Sequence, residues 1–417
     1  MKYKKTKIDN YNLHMINIDN FKSITVDVIF SIPTSKEVIT KSNFLFSILD
    51  FSSKKYSTRR ELEIEKENLY SSEVDILNYK MGNYYNCNFS LSCLNDEYTE
   101  KGNFFKSLDL LKEIIFNPNT KNKSFDKDCF NIIMNNTITD IKGIYEDPAK
   151  YSLVSMIDNI GDDIYSLHEF GYLDEVEKIT PESLYDFYKY FMDNTHVEVF
   201  VVGDIDFNSL EEYFSNNFKF NNKSLDDIYF IHKIENKEVK TINEDYPSIQ
   251  GKLNIGFKMD NPSMYELDYV LPIYNLILGG NTEARLHNKV REEKGLCYYI
   301  YSNYDKKNEI FYISSGINKS NLDEVNSIVD REMSDICNNL TLEELDKVRN
   351  GYLEKLDRIY DSQVQIASLY YQRELFGSAL IDERKEIIKK ITVDEIKDFA
   401  SKIHKEIIFL LGGEDSE

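Results

Sequence analysis

The sequence is poor in the residues that mark several specialised protein classes. Only 16 of its 417 residues are glycine and 7 are proline, which argues against collagen-like and proline-rich architectures. The five cysteines are odd in number and none has CxxC spacing, so we expect neither a disulfide framework nor a structural zinc site. No apolar run reaches membrane-spanning length, and the polar segment Met1–Asn20 has no signal-peptide core. We therefore expect a reducing, cytoplasmic setting.

Positive charge is also scarce. Fifty lysines and arginines face 72 acidic residues, which gives a net charge of -22. Nucleic-acid binding needs a cationic surface because counterion release supplies most of its non-specific affinity. Nucleic acid is therefore not an expected partner. The acidic excess either serves solubility or favours cationic partners and peptides.

The chain contains a long-period internal repeat. Residues 179–204 and 391–413 each begin with a threonine-capped amphipathic helix, at Thr180 and Thr392, and end with an apolar strand. Two further pairs, the second of them looser, occur in the same order in both halves, and the three pairs have offsets between roughly 210 and 228 residues. The two further pairs are Ile144–Asp147 with Ile359–Ser362, and Glu65, Lys66 and Tyr70 with Glu293, Lys294 and Tyr298. The repeat predicts two homologous halves.

Each half is predicted to form one helix-backed antiparallel sheet, an α+β architecture. The predicted domains are 1–217, a polar linker at 218–246, and 247–417. An opening pair of strands is expected at His14–Asp19 and Ile24–Ile32. No GxGxxG follows a strand, which argues against a dinucleotide-binding fold.

One segment of the second half, GGNTEARLHNKVREEKGLCYYIY at 279–301, is distinctive. Gly279 and Gly280 end the preceding helix, and a second helix is expected over Thr282–Glu293, followed by a strand. Its apolar face consists of Ala284, Leu286 and Val290.

With the repeat, this segment makes the chain resemble the pitrilysin/insulinase family of metallopeptidases. The resemblance is strongest to the two-half subunits of mitochondrial processing peptidase, and it covers nearly the whole chain. It rests on four short motifs in this order: a glycine pair, an Arg-Leu dipeptide, an Arg-Glu dipeptide and a Gly-Leu-x-Tyr tetrapeptide. In this chain they are Gly279, Gly280, Arg285, Leu286, Arg291, Glu292, Gly295, Leu296 and Tyr298. His287 stands in the family's aromatic position. The resemblance implies a clamshell-like subunit around a peptide chamber.

The resemblance assigns substrate binding to Arg291 and Tyr298. A guanidinium and a phenol can both donate hydrogen bonds to a substrate carbonyl or its developing oxyanion. The alternative is structural: Arg291 pairs with a neighbouring glutamate, and Tyr298 is a half-buried strand residue. In the first half Tyr70 matches Tyr298, but Glu63 stands where Arg291 would be. Only the second half carries the pair.

The family's zinc chemistry is missing from this chain. Active members place HxxEH on a helix of the first half, where two histidines bind zinc and the glutamate acts as base. The corresponding helix here, Lys41–Ser53, contains no histidine, and the downstream acidic ligand is reduced to Asp140 after Thr139. His168, His196, His232, His287 and His404 are widely spaced and are expected to be surface or satisfied residues. No metal is expected in this chain.

We therefore predict a noncatalytic subunit of a heterodimeric zinc peptidase, inactive alone. An HxxEH-containing homologue is the expected partner and the holder of zinc. The expected substrate is a peptide or a small unfolded precursor, bound as an added strand. The resemblance implies a bacterial role in trimming a precursor or leader peptide. The alternatives are a catalytically inactive scaffold and a peptide-binding protein that performs no hydrolysis.

Overall fold

The computed structural model describes residues 1–161, 163–226 and 238–412 of the chain. Within these residues the protein is a mixture of helices and open sheets, as the sequence predicts. The strands are β1 (Lys2–Ile8), β2 (Tyr11–Asn17), β3 (Ser23–Pro33), β4 (Glu73–Met81), β5 (Tyr84–Leu94), β6 (Thr120–Lys121), β7 (Ser124–Phe125), β8 (His196–Gly203), β9 (Lys240–Glu244), β10 (Gly251–Met259), β11 (Cys297–Asp305), β12 (Ile310–Ile317) and β13 (Ile403–Leu411).

Helices fill most of the stretches between the strands. They are α1 (Lys36–Leu49), α2 (Arg59–Asn68), α3 (Asn103–Phe116), α4 (Lys127–Glu146), α5 (Pro148–Asn159), α6 (Leu173–Val176), α7 (Pro181–Asn194), α8 (Phe207–Asn217), α9 (Leu271–Leu278), α10 (Leu322–Asn339), α11 (Leu342–Asp357), α12 (Gln363–Phe376), α13 (Ile381–Ile388) and α14 (Val393–Ala400). No helix of the described ranges is long and apolar enough to cross a membrane.

The first large sheet has the strand order β1-β2-β8-β3-β5-β4. Its pairings are antiparallel except for β2 with β8, which run parallel. The prediction that the opening strands pair directly was wrong, because β8 lies between β2 and β3. Parallel neighbours need a long crossover connection, so this arrangement depends on a strand far along the chain.

The second large sheet repeats this pattern with the order β11-β12-β10-β13-β9. It is also antiparallel apart from one parallel pair, β13 with β9. Strand β9 lies inside the predicted linker 218–246, of which residues 227–237 are outside the described ranges. The common strand order confirms two similar halves.

The chain forms two compact units, and each is discontinuous in sequence. The first unit contains Met1–Lys142, Glu169–Ile228 and Ser362–Tyr371, and the second contains the remaining segments, Gly143–His168, Tyr229–Asp361 and Gln372–Glu417. Two segments are thus exchanged between the sequence halves. The predicted halves and the compact units do not coincide at these segments.

The exchanged segments cover sheet faces inside their units. In the first unit, the amide of Gln363 donates to the carbonyl oxygens of Ser23 and Val202, both at 2.8 Å. In the second unit, the hydroxyl of Ser152 on α5 donates to the Lys252 carbonyl at 3.0 Å. These bonds satisfy polar groups that would otherwise be buried without partners.

The first sheet carries an aromatic core under α1. The ring of Phe46 stacks on Phe89 at 4.4 Å and lies 5.9 Å from Phe30 and 5.6 Å from Phe191, measured between centroids. Burying each such side chain contributes roughly 1.5–3 kcal/mol. Helix α1 is thus fixed to the sheet by apolar side chains.

The two predicted helix caps are confirmed. Thr180 and Thr392 each accept a hydrogen bond from the third residue of the following helix, and each helix returns a bond to the cap backbone. These capping boxes satisfy backbone donors that the first helical turn leaves free.

Candidate functional site

Helix α1 stands where the family's zinc helix is expected, and it presents no zinc ligand. Eight of its side chains are buried, and they are apolar except for Thr40 and Ser42. The side chain of Asn43 is committed to the protein: it donates to the Glu169 carbonyl at 2.8 Å and accepts from Asn78 at 2.9 Å and from Tyr85 at 2.7 Å. The helix is packed as a structural element.

The acidic position on α4 does not supply a ligand set either. Thr139 and Asp140 are both exposed on this helix. Catalytic zinc requires about three protein ligands converging on one point. A single exposed carboxylate and a helix without histidine do not fit zinc, so no step of hydrolysis is assigned to α1 or α4.

The glycine pair allows the backbone to approach strand β11 closely. The carbonyl of Gly279 accepts a hydrogen bond from the Ser302 backbone at 3.0 Å. A Cβ atom on Gly279 would lie 2.7 Å from that nitrogen, and one on Gly280 would lie 2.6 Å from the amide of Asn275. Both contacts are shorter than van der Waals separation, so the glycines have a packing role.

The helix predicted over Thr282–Glu293 is shorter than expected, and its start was wrong. The side chain of Asn281 accepts from the backbone of Glu283 at 2.7 Å, which forms a local turn rather than a helix cap. The following turn, His287–Glu292, is π-helical. Ala284, Leu286 and Val290 are buried, as predicted. Such wide turns are frequent at functional sites.

Arg285 of the same segment has a structural role. Its Nε and Nη2 donate to the two carboxylate oxygens of Glu344, both at 2.7 Å, and its Nη1 donates to Asp335 at 2.7 Å. The side chain is 14% exposed. This bidentate geometry leaves little of the guanidinium for a substrate.

Arg291 and Tyr298 lie next to each other on the second unit. The guanidinium carbon of Arg291 is 6.0 Å from the centre of the Tyr298 ring, within cation–π range. Tyr298 is 75% exposed, so it is not the half-buried residue of the structural alternative. Arg291 is 43% exposed, and its Nε lies 3.8 Å from Glu292, as that alternative expected. Both side chains can reach a ligand from solvent.

The first unit offers no equivalent pair. Glu63, at the position that matches Arg291, receives ion pairs from Arg59 at 2.9 Å and from Lys66 at 3.2 Å. Tyr70 lies in a tight turn before β4 with a φ of 60°. The matching position therefore carries a carboxylate in an ion-pair network, where the second unit has a guanidinium.

This network lines a cavity of about 560 Å³ in the first unit. The cavity lies beside β4, the outer strand of its sheet. Its wall includes two cations and five carboxylates, and three of the carboxylates have no ion pair among the described residues: Glu67, Glu73 and Asp75. A net negative wall favours a cationic ligand.

A buried histidine network was missed by the sequence reasoning. Glu198, only 2% exposed, accepts from His14 at 2.7 Å, from His196 at 2.9 Å and from Asn12 at 2.9 Å. The other ring nitrogen of His196 faces the Lys223 carbonyl at 2.7 Å, so both ring nitrogens face oxygen acceptors. The sequence feature that could have revealed this network is Glu198, because it is the single acidic residue in an otherwise apolar strand.

Burial alone would raise the pKa of Glu198. The hydrogen bonds from His14 and His196 outweigh burial and lower the pKa to about 2. His14 is held further by the ring of Phe200, which stacks on it at 4.2 Å. This network joins β2 to β8 and supports the sheet.

The remaining histidines are scattered. His168 is buried with its Nε2 3.8 Å from Asp158, whereas His404 is exposed. His232 lies outside the described residues.

Known proteins are similar to this chain in sequence and in fold. A family model described as "Peptidase M16 inactive domain" matches residues 178–352. A protein of Bacillus subtilis (strain 168) named "Probable inactive metalloprotease YmfF" is 26% identical over 419 residues, covering 98% of this chain and 97% of its own.

Two solved structures share the fold over the full length. A conserved protein from Enterococcus faecalis V583 has a TM-score of 0.91 at 24% identity, with 100% of this chain and 99% of that chain covered. A peptidase M16 inactive domain from Pseudomonas fluorescens has a TM-score of 0.80 at 17% identity, with the same coverage. Residues 178–352 therefore resemble the inactive domain of M16 peptidases, and the whole chain shares the fold of a protein described by that name.

Proposed function

We propose that this chain is the noncatalytic subunit of a two-subunit peptidase and supplies Arg291 and Tyr298 to the zinc site of an HxxEH-containing partner. The observation that supports this proposal is the exposed pair itself, with the guanidinium 6.0 Å from the phenol ring. The pair persists in a chain whose α1 has no zinc ligand. A purely structural chain has no need for an arginine and a tyrosine side by side in solvent.

The chemistry of the pair suits a peptide substrate. The guanidinium carries a permanent positive charge and several donors, and the phenol adds one donor. Donors placed where negative charge develops on a peptide carbonyl stabilise the transition state more than the ground state. Arg291 and Tyr298 would therefore bind and polarise the scissile region, while the partner supplies the zinc-bound nucleophile.

The test uses the complex of this chain with its HxxEH partner and an unstructured peptide. Arg291→Ala and Tyr298→Phe are expected to lower kcat/KM by roughly 100-fold and 10-fold, in line with the loss of oxyanion donors. Arg331→Ala and Tyr190→Phe are matched controls, because both side chains are more than half exposed and lie elsewhere. Unchanged cleavage by both site variants would assign the pair to the structural alternative.

The isolated chain provides a second test. It is expected to show no zinc-dependent cleavage, because α1 and α4 do not form a ligand set. Robust cleavage by the chain alone, abolished by a chelator, would overturn the noncatalytic assignment.

A peptide-binding protein without hydrolysis is the second candidate. The observation in its favour is the acidic cavity beside β4, since an outer strand can accept an extended peptide and the cavity can accept a lysine or arginine side chain. Fluorescence anisotropy with a lysine-containing peptide and its glutamate counterpart tests this. Glu73→Gln with Asp75→Asn should weaken binding of the basic peptide only; equal affinity for both peptides would contradict the proposal.

A further inference from the structure

His287 is bonded directly to Arg291. The Nη1 of Arg291 lies 3.1 Å from the Nε2 of His287, four residues earlier on the π-helical turn. A guanidinium only donates hydrogen bonds, so Nε2 must be the acceptor and cannot carry a proton. This hydrogen bond therefore requires a free lone pair on Nε2.

Few polar groups surround the His287 ring. Its Nδ1 is buried, has no hydrogen-bond partner within the described part of the chain, and lies 4.0 Å from Glu292. Strand β11 packs on the π-helical turn and begins with Cys297 and Tyr298. Helix α10 also packs on the turn and carries Glu324, which forms an ion pair with Lys294 at 3.3 Å. Two charged groups thus face the ring: the guanidinium of Arg291, 3.1 Å from Nε2, and the carboxylate of Glu292, 4.0 Å from Nδ1.

Protonation of His287 would break this contact in two ways. A proton on Nε2 removes the lone pair that accepts from Arg291, and it places two cations 3.1 Å apart. The ring is 12% exposed against 43% for the arginine, so the arginine is the partner that can move into solvent. An imidazole titrates near neutral pH, whereas a guanidinium does not.

We propose that His287 is a pH-responsive positioning residue: its neutral ring holds the Arg291 guanidinium beside Tyr298, and its protonated ring releases it. This inference rests on the proposed function of the pair. His287 does not contact the substrate. It fixes the direction of a flexible side chain before the substrate arrives, which reduces the entropy lost on binding.

The test compares variants of this chain in the complex with its HxxEH partner, between pH 5.5 and pH 8. His287→Gln keeps a side-chain oxygen that can accept from Arg291 but cannot be protonated in this range. His287→Phe keeps the ring and removes the acceptor. At each pH, kcat/KM is divided by the value for Arg291→Ala, which cancels the pH dependence of the partner's chemistry. Circular dichroism confirms that each variant is folded.

The wild-type ratio is expected to fall about tenfold from pH 8 to pH 5.5, the effect of losing one hydrogen bond. The ratio for His287→Gln should stay high and constant, and that for His287→Phe should stay low and constant. If His287→Gln shows the wild-type pH dependence, the positioning role is wrong although the pair still functions. If Arg291→Ala equals the wild type at every pH, the proposed function itself fails.

Discussion

The buried Glu198 network offers a strong test of how this fold is held together. The substitution Glu198→Gln keeps the size of the side chain and removes its charge. His196 then keeps one ring nitrogen against the Lys223 carbonyl but loses its anionic partner. A glutamine has one acceptor oxygen where glutamate has two, so its NH2 group must face either the fully buried His14 or the pair His196 and Asn12. We expect a large loss of stability, since a buried hydrogen-bond donor left without its acceptor is costly.

The magnitude follows from the pKa of Glu198. The difference between the ordinary value of 4.5 and about 2 corresponds to about 3 kcal/mol of folding free energy. Because the folded pKa is lowered, this contribution is fully present above about pH 4.5 and is lost as the pH falls towards 2. The difference between Glu198→Gln and the wild type should therefore be largest near pH 6 and smaller at pH 3.

Urea unfolding followed by far-ultraviolet circular dichroism measures this difference. The control is Glu37→Gln, which removes a carboxylate that is 59% exposed and paired with Lys41; its effect should stay below about 0.5 kcal/mol. A Glu198→Gln variant as stable as the control, or one whose difference from the wild type is the same at pH 3 and pH 6, would refute the reasoning.

Two further predictions concern the segment at 279–301 and can be checked by the same unfolding measurement. Gly280→Ala should destabilise the protein by about 2 kcal/mol, because the new Cβ would lie 2.6 Å from Asn275, whereas Gly351→Ala, on an open helix surface, should be neutral or stabilising. Arg285→Met should cost about 2–3 kcal/mol because it leaves Glu344 without its bidentate partner, and a cost near zero would show that this ion pair is not needed for stability.

Local patterns predicted much of the fold. The caps Thr180 and Thr392 were found because a threonine before an amphipathic run satisfies free backbone donors, and this depends on neighbouring residues alone. The helix start at Thr282 failed because the side chain of Asn281 forms a turn instead, and both uses of asparagine look alike in a sequence.

The candidate site was only partly predictable. Arg291 and Tyr298 were named from a motif, and their side chains lie next to each other in the structure. Their exposure and the bond from Arg291 to His287 could not be read from spacing, because burial depends on every element packed nearby. The cavity beside β4 was not foreseen, since it is formed by side chains from separate elements.

By itself, the sequence determined that this chain carries no HxxEH, that it contains two similar halves and that its acidic residues exceed its basic ones. These properties need only the identity and order of residues. The tertiary structure decided that β8 lies between β2 and β3 and that His14 meets Glu198, 184 residues away. It also decided that α5, from the first half of the sequence, belongs to the second unit, and that the first part of α12, from the second half, belongs to the first unit. Such contacts depend on which distant surfaces bury best against each other, and no local period encodes that choice.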